Sequence, residues 1–231
     1  MPKPLVIAID GPSGVGKSTV ARRLAEQLGY SYVETGAMYR AVALLALERE
    51  MDMANGEALG KLAATAAIRF EPSVSGNRIF LDGRDITEAI RSPEVTTASS
   101  LVSVHPPVRE KMVERQRELG RHGGVVMEGR DIGTRVFPNA DLKIFLDAAP
   151  AIRAQRRFRD MQAAGQTSDE VLAEMAERDR RDQQREVSPL VAATDAVHID
   201  STGLSAEEVV EKILLLVRQK GAALERPFDS K

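Results

Sequence analysis

The chain has 231 residues, 43% of them hydrophobic, and carries 32 lysines and arginines against 34 acids for a net charge of −2. That length and apolar content fit one domain, or one with an insertion, and exclude a disordered chain; the balanced charge argues against a broadly basic nucleic-acid binder. Zero cysteines exclude disulfides, thiolate metal sites and thiol catalysis and suit a reducing compartment, while three histidines leave little from which to build a zinc centre.

In chain order, Leu5–Ile9 is the first of five short apolar runs that read as strands of a buried parallel sheet. No targeting pattern stands before it. A helix over Thr19–Leu28 follows, closed by Gly29 as its C-cap, then a strand at Tyr30–Val33 and a helix at Met38–Glu50. The longest purely apolar stretch, Ala41 to Leu47, is far short of the roughly 18–20 residues of a membrane span. A cytoplasmic protein with no membrane partner is expected.

From about Asn55 to Ser103 the alternation breaks. A short alanine-rich helix precedes Ile68–Glu71 and Arg78–Leu81, which read as antiparallel strands punctuated by turns at Ser75-Gly76-Asn77 and Asp82-Gly83. This stretch reads as a small inserted subdomain. Alternation then resumes: helix Pro107–Arg121, introduced by His105, strand Gly124–Met127, strand Leu142–Leu146, helices Ala151–Ala164 and Asp169–Glu186, strand Ala196–Ile199 and helix Ala206–Lys220. Ser205 and Glu208 make a capping box on the last helix. Ala222–Lys231, with Pro227, reads as a tail. The fold class is α/β, a doubly wound sheet with ligands at the carboxyl ends of its strands.

The strongest signal is Gly11-Pro12-Ser13-Gly14-Val15-Gly16-Lys17-Ser18, between the first strand and the helix that begins at Thr19. It matches the G-x-x-x-x-G-K-[ST] pattern in the strand–helix context that pattern requires. Glycines let backbone N–H groups converge on a phosphate, and the helix N-terminus adds its positive dipole end. Lys17 is expected to reach the β and γ phosphates and the Ser18 hydroxyl to ligate Mg²⁺. A triphosphate site does not choose among GTPase, motor, kinase and regulatory ATPase. No Asn-Lys-x-Asp guanine-reading sequence occurs, and the length leaves little room for a motor.

Three further clusters carry arginines. Thr35-Gly36-Ala37-Met38-Tyr39-Arg40 follows the second strand, Glu128-Gly129-Arg130-Asp131-Ile132-Gly133-Thr134 follows the third, and Glu177 to Arg185 ends the long helix before the fifth. Together with the phosphate loop these residues resemble the bacterial cytidylate kinase family, over roughly Leu5 to Lys220. The resemblance implies a five-stranded parallel P-loop sheet, with an inserted monophosphate-binding subdomain over 55–103 and a short mobile lid over 151–167. It implies ATP and CMP or dCMP as substrates, with Mg²⁺ as cofactor. Residue by residue, it implies that Arg40 and Arg130 hold the acceptor phosphate and that Arg185 approaches the transferring group. It also makes Ser100, Arg109 and Asp131 the cytosine-reading set and Arg178 and Asp182 the ribose contacts. Thr35 stands where some relatives carry serine, and either hydroxyl can hydrogen-bond. Lys17, Arg130 and Arg185 become the expected catalytic residues, and the phosphate loop from Gly11 through Thr19 the expected ATP site.

The residue types make chemical sense independently. Phosphoryl transfer to a monophosphate brings two anions together, and planar guanidinium groups neutralise both while fixing them bidentately. The phosphate nucleophile is largely ionised near neutral pH, so no general base is needed. A carboxylate at Asp131 accepts from the cytosine amino group and would face an unmatched carbonyl in uracil. Arg153, Arg156, Arg157 and Arg159 crowd the lid helix; Arg153 and Arg157, four apart, are the pair expected to reach ATP, against a solvated face paired with Asp160. Spacing alone would make Arg178 to Glu186 an exposed salt-bridged helix. The resemblance reverses this for Arg178, Asp182 and Arg185 and leaves Arg180 and Arg181 structural. Asp10 and Asp147 read as loop buttresses before metal helpers, and His105, His122 and His198 receive no chemical role.

Two rivals remain open at this stage. A kinase of the same fold could take UMP, AMP or shikimate, and a nonenzymatic nucleotide switch could use the arginine clusters as an interface. A monomer is the expected state. Arginine outnumbers lysine 24 to 8, a bias that codon usage or a cationic cleft would each produce.

Overall fold

A computed structural model describes residues 4–73, 76–161 and 167–224. Ser75 of the first expected turn, part of the expected lid (162–166) and the tail from 225, with Pro227, lie outside the described residues.

Five parallel strands form the main sheet in the order β2-β6-β1-β7-β8: β1 Val6–Asp10, β2 Ser31–Glu34, β6 Val125–Gly129, β7 Leu142–Asp147 and β8 Val197–Asp200. Each lies within a residue or two of its expected run. Ile7 stands between Val126 and Leu142, and Ile9 between Glu128 and Ile144. The central strands β1 and β6 are mostly apolar and buried because both faces are covered, while the edge strands β2 and β8 are more polar and exposed. Ile7, Ile9 and Val126 pack with α1 (Lys17–Leu28) and α8 (Ala206–Leu224) on one face; Ala8, Val125 and Met127 pack with Val113 of α5 (Pro106–Gly120) on the other. Gly29 ends α1 with φ at 66°, its N–H reaching back to the carbonyls of Ala25 and Glu26, as a left-handed C-cap does. The capping box of α8 is present: the Ser205 N–H donates to Glu208 at 2.8 Å and the Glu208 N–H to Ser205 at 3.2 Å.

The segment between β2 and β6 builds a second core of its own. It contains α2 (Thr35–Glu48), α3 (Gly56–Thr65), an antiparallel sheet of β3 (Ile68–Ser73), β4 (Gly76–Leu81) and the two-residue β5 (Arg84–Asp85), and α4 (Pro93–Val102). Met38, Val42, Leu59, Leu81, Ile90, Val102 and Met112 are buried together there. The antiparallel strands appear where expected. Helix α4 is a departure, for no helix is expected over 93–102. Its start is nonetheless written in the sequence: Ser92 accepts from the Val95 N–H at 3.2 Å and Pro93 takes the first turn. The β-branched run Val95-Thr96-Thr97 masks it, because such residues lower helix propensity.

Two further differences matter for the site. Helix α2 begins at Thr35, not Met38, so the Thr35–Arg40 cluster forms its first turns. After β6 the chain makes one wide turn, Ile132–Val136, in which the Val136 N–H reaches Asp131 O at 3.1 Å and the Phe137 N–H reaches Ile132 O at 2.7 Å. These are i→i+5 bonds of a π-turn, a geometry frequent at functional sites. Helices α6 (Pro150–Met161) and α7 (Ser168–Gln184) follow β7. Among the described residues no helix is long and apolar enough to cross a membrane.

Candidate active site

The carboxyl ends of β1, β2 and β6 open into one cleft of about 1150 Å³. The phosphate loop forms its floor at one end. Gly11 is obligatory there, since a Cβ would lie 2.1 Å from the Leu146 carbonyl oxygen of the neighbouring strand. Lys17 is 6% exposed, and its ammonium donates to the Pro12 carbonyl at 2.7 Å. Burial, and after it the Arg130 charge, lowers the Lys17 pKa to about 7. The Ser18 hydroxyl donates to Glu128 Oε1 at 2.7 Å, and Thr35 Oγ1 donates to the Glu128 carbonyl at 2.8 Å. Burial pushes the Glu128 carboxyl up, with Lys17 opposing. Ser18 and Glu128 thus present adjacent oxygens beside the loop, a hard donor set that suits Mg²⁺, which takes few protein ligands and completes its shell with phosphate and water.

Asp10 stands behind the cleft. It accepts from the N–H groups of Ile132 at 2.8 Å and Gly133 at 2.7 Å, and burial raises its pKa to about 7. It buttresses the π-turn against β1. Asp147 accepts from the Ala148 N–H at 2.8 Å and caps its own turn.

The opposite end of the cleft is built from arginines held by carboxylates. Arg40 pairs with Glu34, Arg109 with Asp131, and Arg130 Nε with Asp182 Oδ2 at 2.9 Å. Arg109 is 2% exposed, donates to the Ser103 carbonyl at 3.2 Å and lies 5.5 Å from the Tyr39 ring centroid. Arg185 donates to the Ser188 carbonyl at 2.8 Å and lies 3.6 Å from Asp182. Burial alone would raise the Asp182 pKa, but Arg130, Arg185 and Arg178 hold it below the usual range. Burial, with Arg130 beside it, lowers Arg178 to about 10. The Nε atoms of Arg40, Arg109, Arg178 and Arg185 are all buried without an acceptor among the described residues. Buried donors are rarely left so.

Of the residues expected from sequence, Ser13 through Thr19, Thr35, Arg40, Arg109, Arg130, Asp131, Arg157, Arg178, Asp182 and Arg185 line this cleft together. Gly11 and Pro12, at the start of the loop, do not line the cleft. Ser100 on α4 does not line the cleft and its hydroxyl is unpartnered, while Thr96 and Ser99 of the same helix and Ser103 at its C-cap do line it. Arg153 does not line it; its guanidinium is engaged by Asp179 and by the carbonyls of Ser13 and Ala148. Arg156, passed over in the sequence, borders the cleft while binding the carbonyls of Val15 and Ser201. Glu128 and Glu34 were also unassigned. Glu128 ends an apolar strand beside the phosphate loop, which is the signal that could have found it. Glu34 is the last residue of β2 and the N-cap of α2, and its pairing with Arg40 is set by the fold.

A family model described as cytidylate kinase matches residues 7–219. The chain is 54% identical over 220 residues to a cytidylate kinase of Enterococcus faecalis, covering 94% of this chain and 97% of that one. It is 48% identical over 222 residues to a cytidylate kinase of Bacillus subtilis, covering 95% and 99%. Among solved structures, an uncharacterized protein of Eubacterium ventriosum superposes with a TM-score of 0.53 at 12% identity over 93% of this chain and 98% of that one, a likeness of fold alone. The phosphate loop, the second core and the arginine-lined wall all fall inside the matched span: the chain belongs to the cytidylate kinase family.

Proposed function

We propose that the chain transfers the γ-phosphoryl group of ATP to CMP and dCMP, giving CDP and dCDP. The observation that carries this reading is the wall of guanidinium groups opposite the phosphate loop, with four buried Nε–H donors lacking acceptors. Such a wall suits a second phosphate and its sugar and base, which a switch with only a triphosphate site would not need. The names of the relatives above supply the cytidylate acceptor.

In this reading the amides of Gly14 to Thr19 and the Lys17 ammonium hold the donor phosphates, and Arg157 approaches them from the lid segment, 151–167. Arg40 and Arg130 take the acceptor phosphate, exchanging their carboxylate partners for phosphate oxygens. Arg185 and Lys17 neutralise charge between donor and acceptor. When bound at Ser18 and Glu128, Mg²⁺ supplies charge neutralisation at the phosphates. No side chain need remove a proton, so catalysis is alignment plus electrostatics. Asp131 and Arg109 read the cytosine edge, with the Ser100 hydroxyl behind them, and Arg178 and Asp182 meet the sugar hydroxyls. The inserted 55–103 subdomain serves as the monophosphate holder, supported by the hydroxyls of Thr96, Ser99 and Ser103 that border the cleft. One chain supplies every element, so a monomer suffices. A cytoplasmic location follows from the nucleotide pools that the reaction draws on.

An acceptor screen at one ATP concentration tests the reading. CMP and dCMP are expected to drive ADP release well above UMP and AMP, with the Lys17→Ala variant as the inactive control. UMP turned over as efficiently as CMP would overturn the cytosine assignment. ADP release indifferent to any monophosphate would favour the switch.

A further inference from the structure

The tip of the phosphate loop is held from behind. Ser13 is 8% exposed, and side chains from the two helices after β7 engage both of its backbone polar groups. Its N–H donates to Asp179 Oδ1 at 3.1 Å, and its carbonyl accepts from Arg153 Nη1 at 3.0 Å. Arg153 and Asp179 are ion-paired with each other, and Arg153 Nε donates to the Ala148 carbonyl at 3.1 Å. The next residue, Gly14, sits with φ at 72°, where an added Cβ would lie 2.6 Å from the Met175 methyl and 2.7 Å from the Arg153 carbonyl oxygen. Backbone of α6 and side chain of α7 therefore touch the loop directly.

Neither Arg153 nor Asp179 lines the cleft, whereas Arg178, Asp182 and Arg185 do. All but Arg153 belong to α7 or its C-cap. Arg178 is the chain neighbour of Asp179, and Asp182 follows one turn later. A helix transmits displacement nearly as a rigid body, because its hydrogen bonds fix each turn to the next. The donor loop and the acceptor-side residues of α7 are accordingly parts of one mechanical unit, joined through a charge-assisted bond and a half-buried ion pair.

We infer that Asp179 and Arg153 are positioning residues that register α7 to the donor loop, so that triphosphate binding and monophosphate binding reinforce each other. Phosphate settling into the loop fixes Ser13 and Gly14. Ser13 fixes the Arg153–Asp179 clamp, and the clamp fixes the angle from which Arg178, Asp182 and Arg185 face the acceptor. Coupling of this kind is reciprocal by linkage. The inference rests on the phosphoryl-transfer reading, and wild-type turnover of CMP with ATP tests that reading separately.

The test measures CMP affinity with and without a non-hydrolysable ATP analogue, alongside kcat, KM and Tm. It compares wild type, Asp179→Asn, Arg153→Met and the double variant. Asp179→Asn keeps an oxygen for the Ser13 N–H and removes the charge. The analogue is expected to tighten CMP binding to wild type by about fivefold or more, and each single variant is expected to lose most of that gain. The double variant is expected to lose no more than the singles, as members of one clamp do in a mutant cycle. Arg153→Lys retains the charge but not the fork that reaches both carbonyls, and is expected to restore only part of the gain; it carries the same expectation if Asp179→Asn does not fold. Variants with a lowered Tm but wild-type coupling and kcat well below Tm would make the clamp merely structural and overturn the inference. A wild type showing no coupling would overturn it as well.

Discussion

The two ends of the cleft solve the problem of holding phosphate in different ways. The donor end uses backbone: a glycine-bearing loop that a Cβ at Gly11 would drive into Leu146, one buried lysine, and a helix N-terminus. The acceptor end uses side chains, with each of Arg40, Arg109 and Arg130 bound to a carboxylate. Backbone donors are placed by the fold itself, so the loop amides stand ready before nucleotide arrives and only side chains such as Lys17, held to the Pro12 carbonyl, exchange partners. The acceptor end is a set of ion pairs that a phosphate must enter by displacement. Pairing these three guanidinium groups avoids the penalty of uncompensated buried charge at each of them. It also makes acceptor affinity a difference between two anions, one of them built in.

The contrast is broken most severely at Lys17. Lys17→Ala is expected to lower kcat about a thousandfold, the scale of losing one preorganised group at a phosphoryl transition state, with Tm near or above wild type because a buried charge leaves with it. Initial-rate assays and thermal melts check both halves; a kcat within tenfold of wild type would mean that the loop amides suffice.

Next is Asp131→Ala at the acceptor end, which strands the Arg109 guanidinium in a site that leaves it 2% exposed. Breaking a buried pair from one side costs about 3 kcal/mol or more, to be read from urea unfolding, and the preference for CMP over UMP should collapse together with it. Stability retained with selectivity lost would show that the pair serves recognition only.

Glu34→Gln sharpens the displacement picture. It removes the carboxylate that occupies Arg40, so KM for CMP should fall about threefold to tenfold, an effect of about 1 kcal/mol, as expected for a half-buried ion pair. A raised KM would instead give Glu34 a positive role in binding.

The smallest effect concerns protons. Burial, then Arg130, lowers the Lys17 pKa to about 7, which disfavours the charged form in the empty cleft. Triphosphate favours the charged form and raises that pKa. ATP binding at pH 8 is therefore expected to take up a fraction of a proton, and affinity to weaken as pH rises above 7. Calorimetry in two buffers of different ionisation enthalpy measures the uptake, and a net release would contradict the sign.

How much of this was legible in the sequence depended on how local the cause was. The five strands were readable because strands of a sheet covered on both faces are short and predominantly apolar, even where single polar residues such as Ser31, Lys143 and His198 interrupt them. The phosphate loop was readable because its chemistry needs a fixed spacing. The arginines could be located, but not their partners. Arg153 and Arg157 lie four apart on one helix, yet the first turns to Asp179 and the loop backbone, while the second borders the cleft. That division is made by packing of α6 on α7, which no local pattern encodes. Likewise the cleft-lining hydroxyls of this stretch are Thr96, Ser99 and Ser103, and the expected Ser100 is buried beside them. A helix hidden under β-branched residues had to be recognised before its faces could be assigned.

The position of β2 has a consequence for how the chain tolerates change. That edge strand pairs only with β6, Ser31 opposite Val125, so the whole second core is one long loop whose ends the sheet brings together. Loop-closure entropy grows only with the logarithm of length, by about 0.6 kcal/mol for each doubling. Residues added to or trimmed from the surface turns of that loop should barely register in the folding free energy. At Gly11 or Gly14 a single methyl group would force the neighbouring backbone or helix to move.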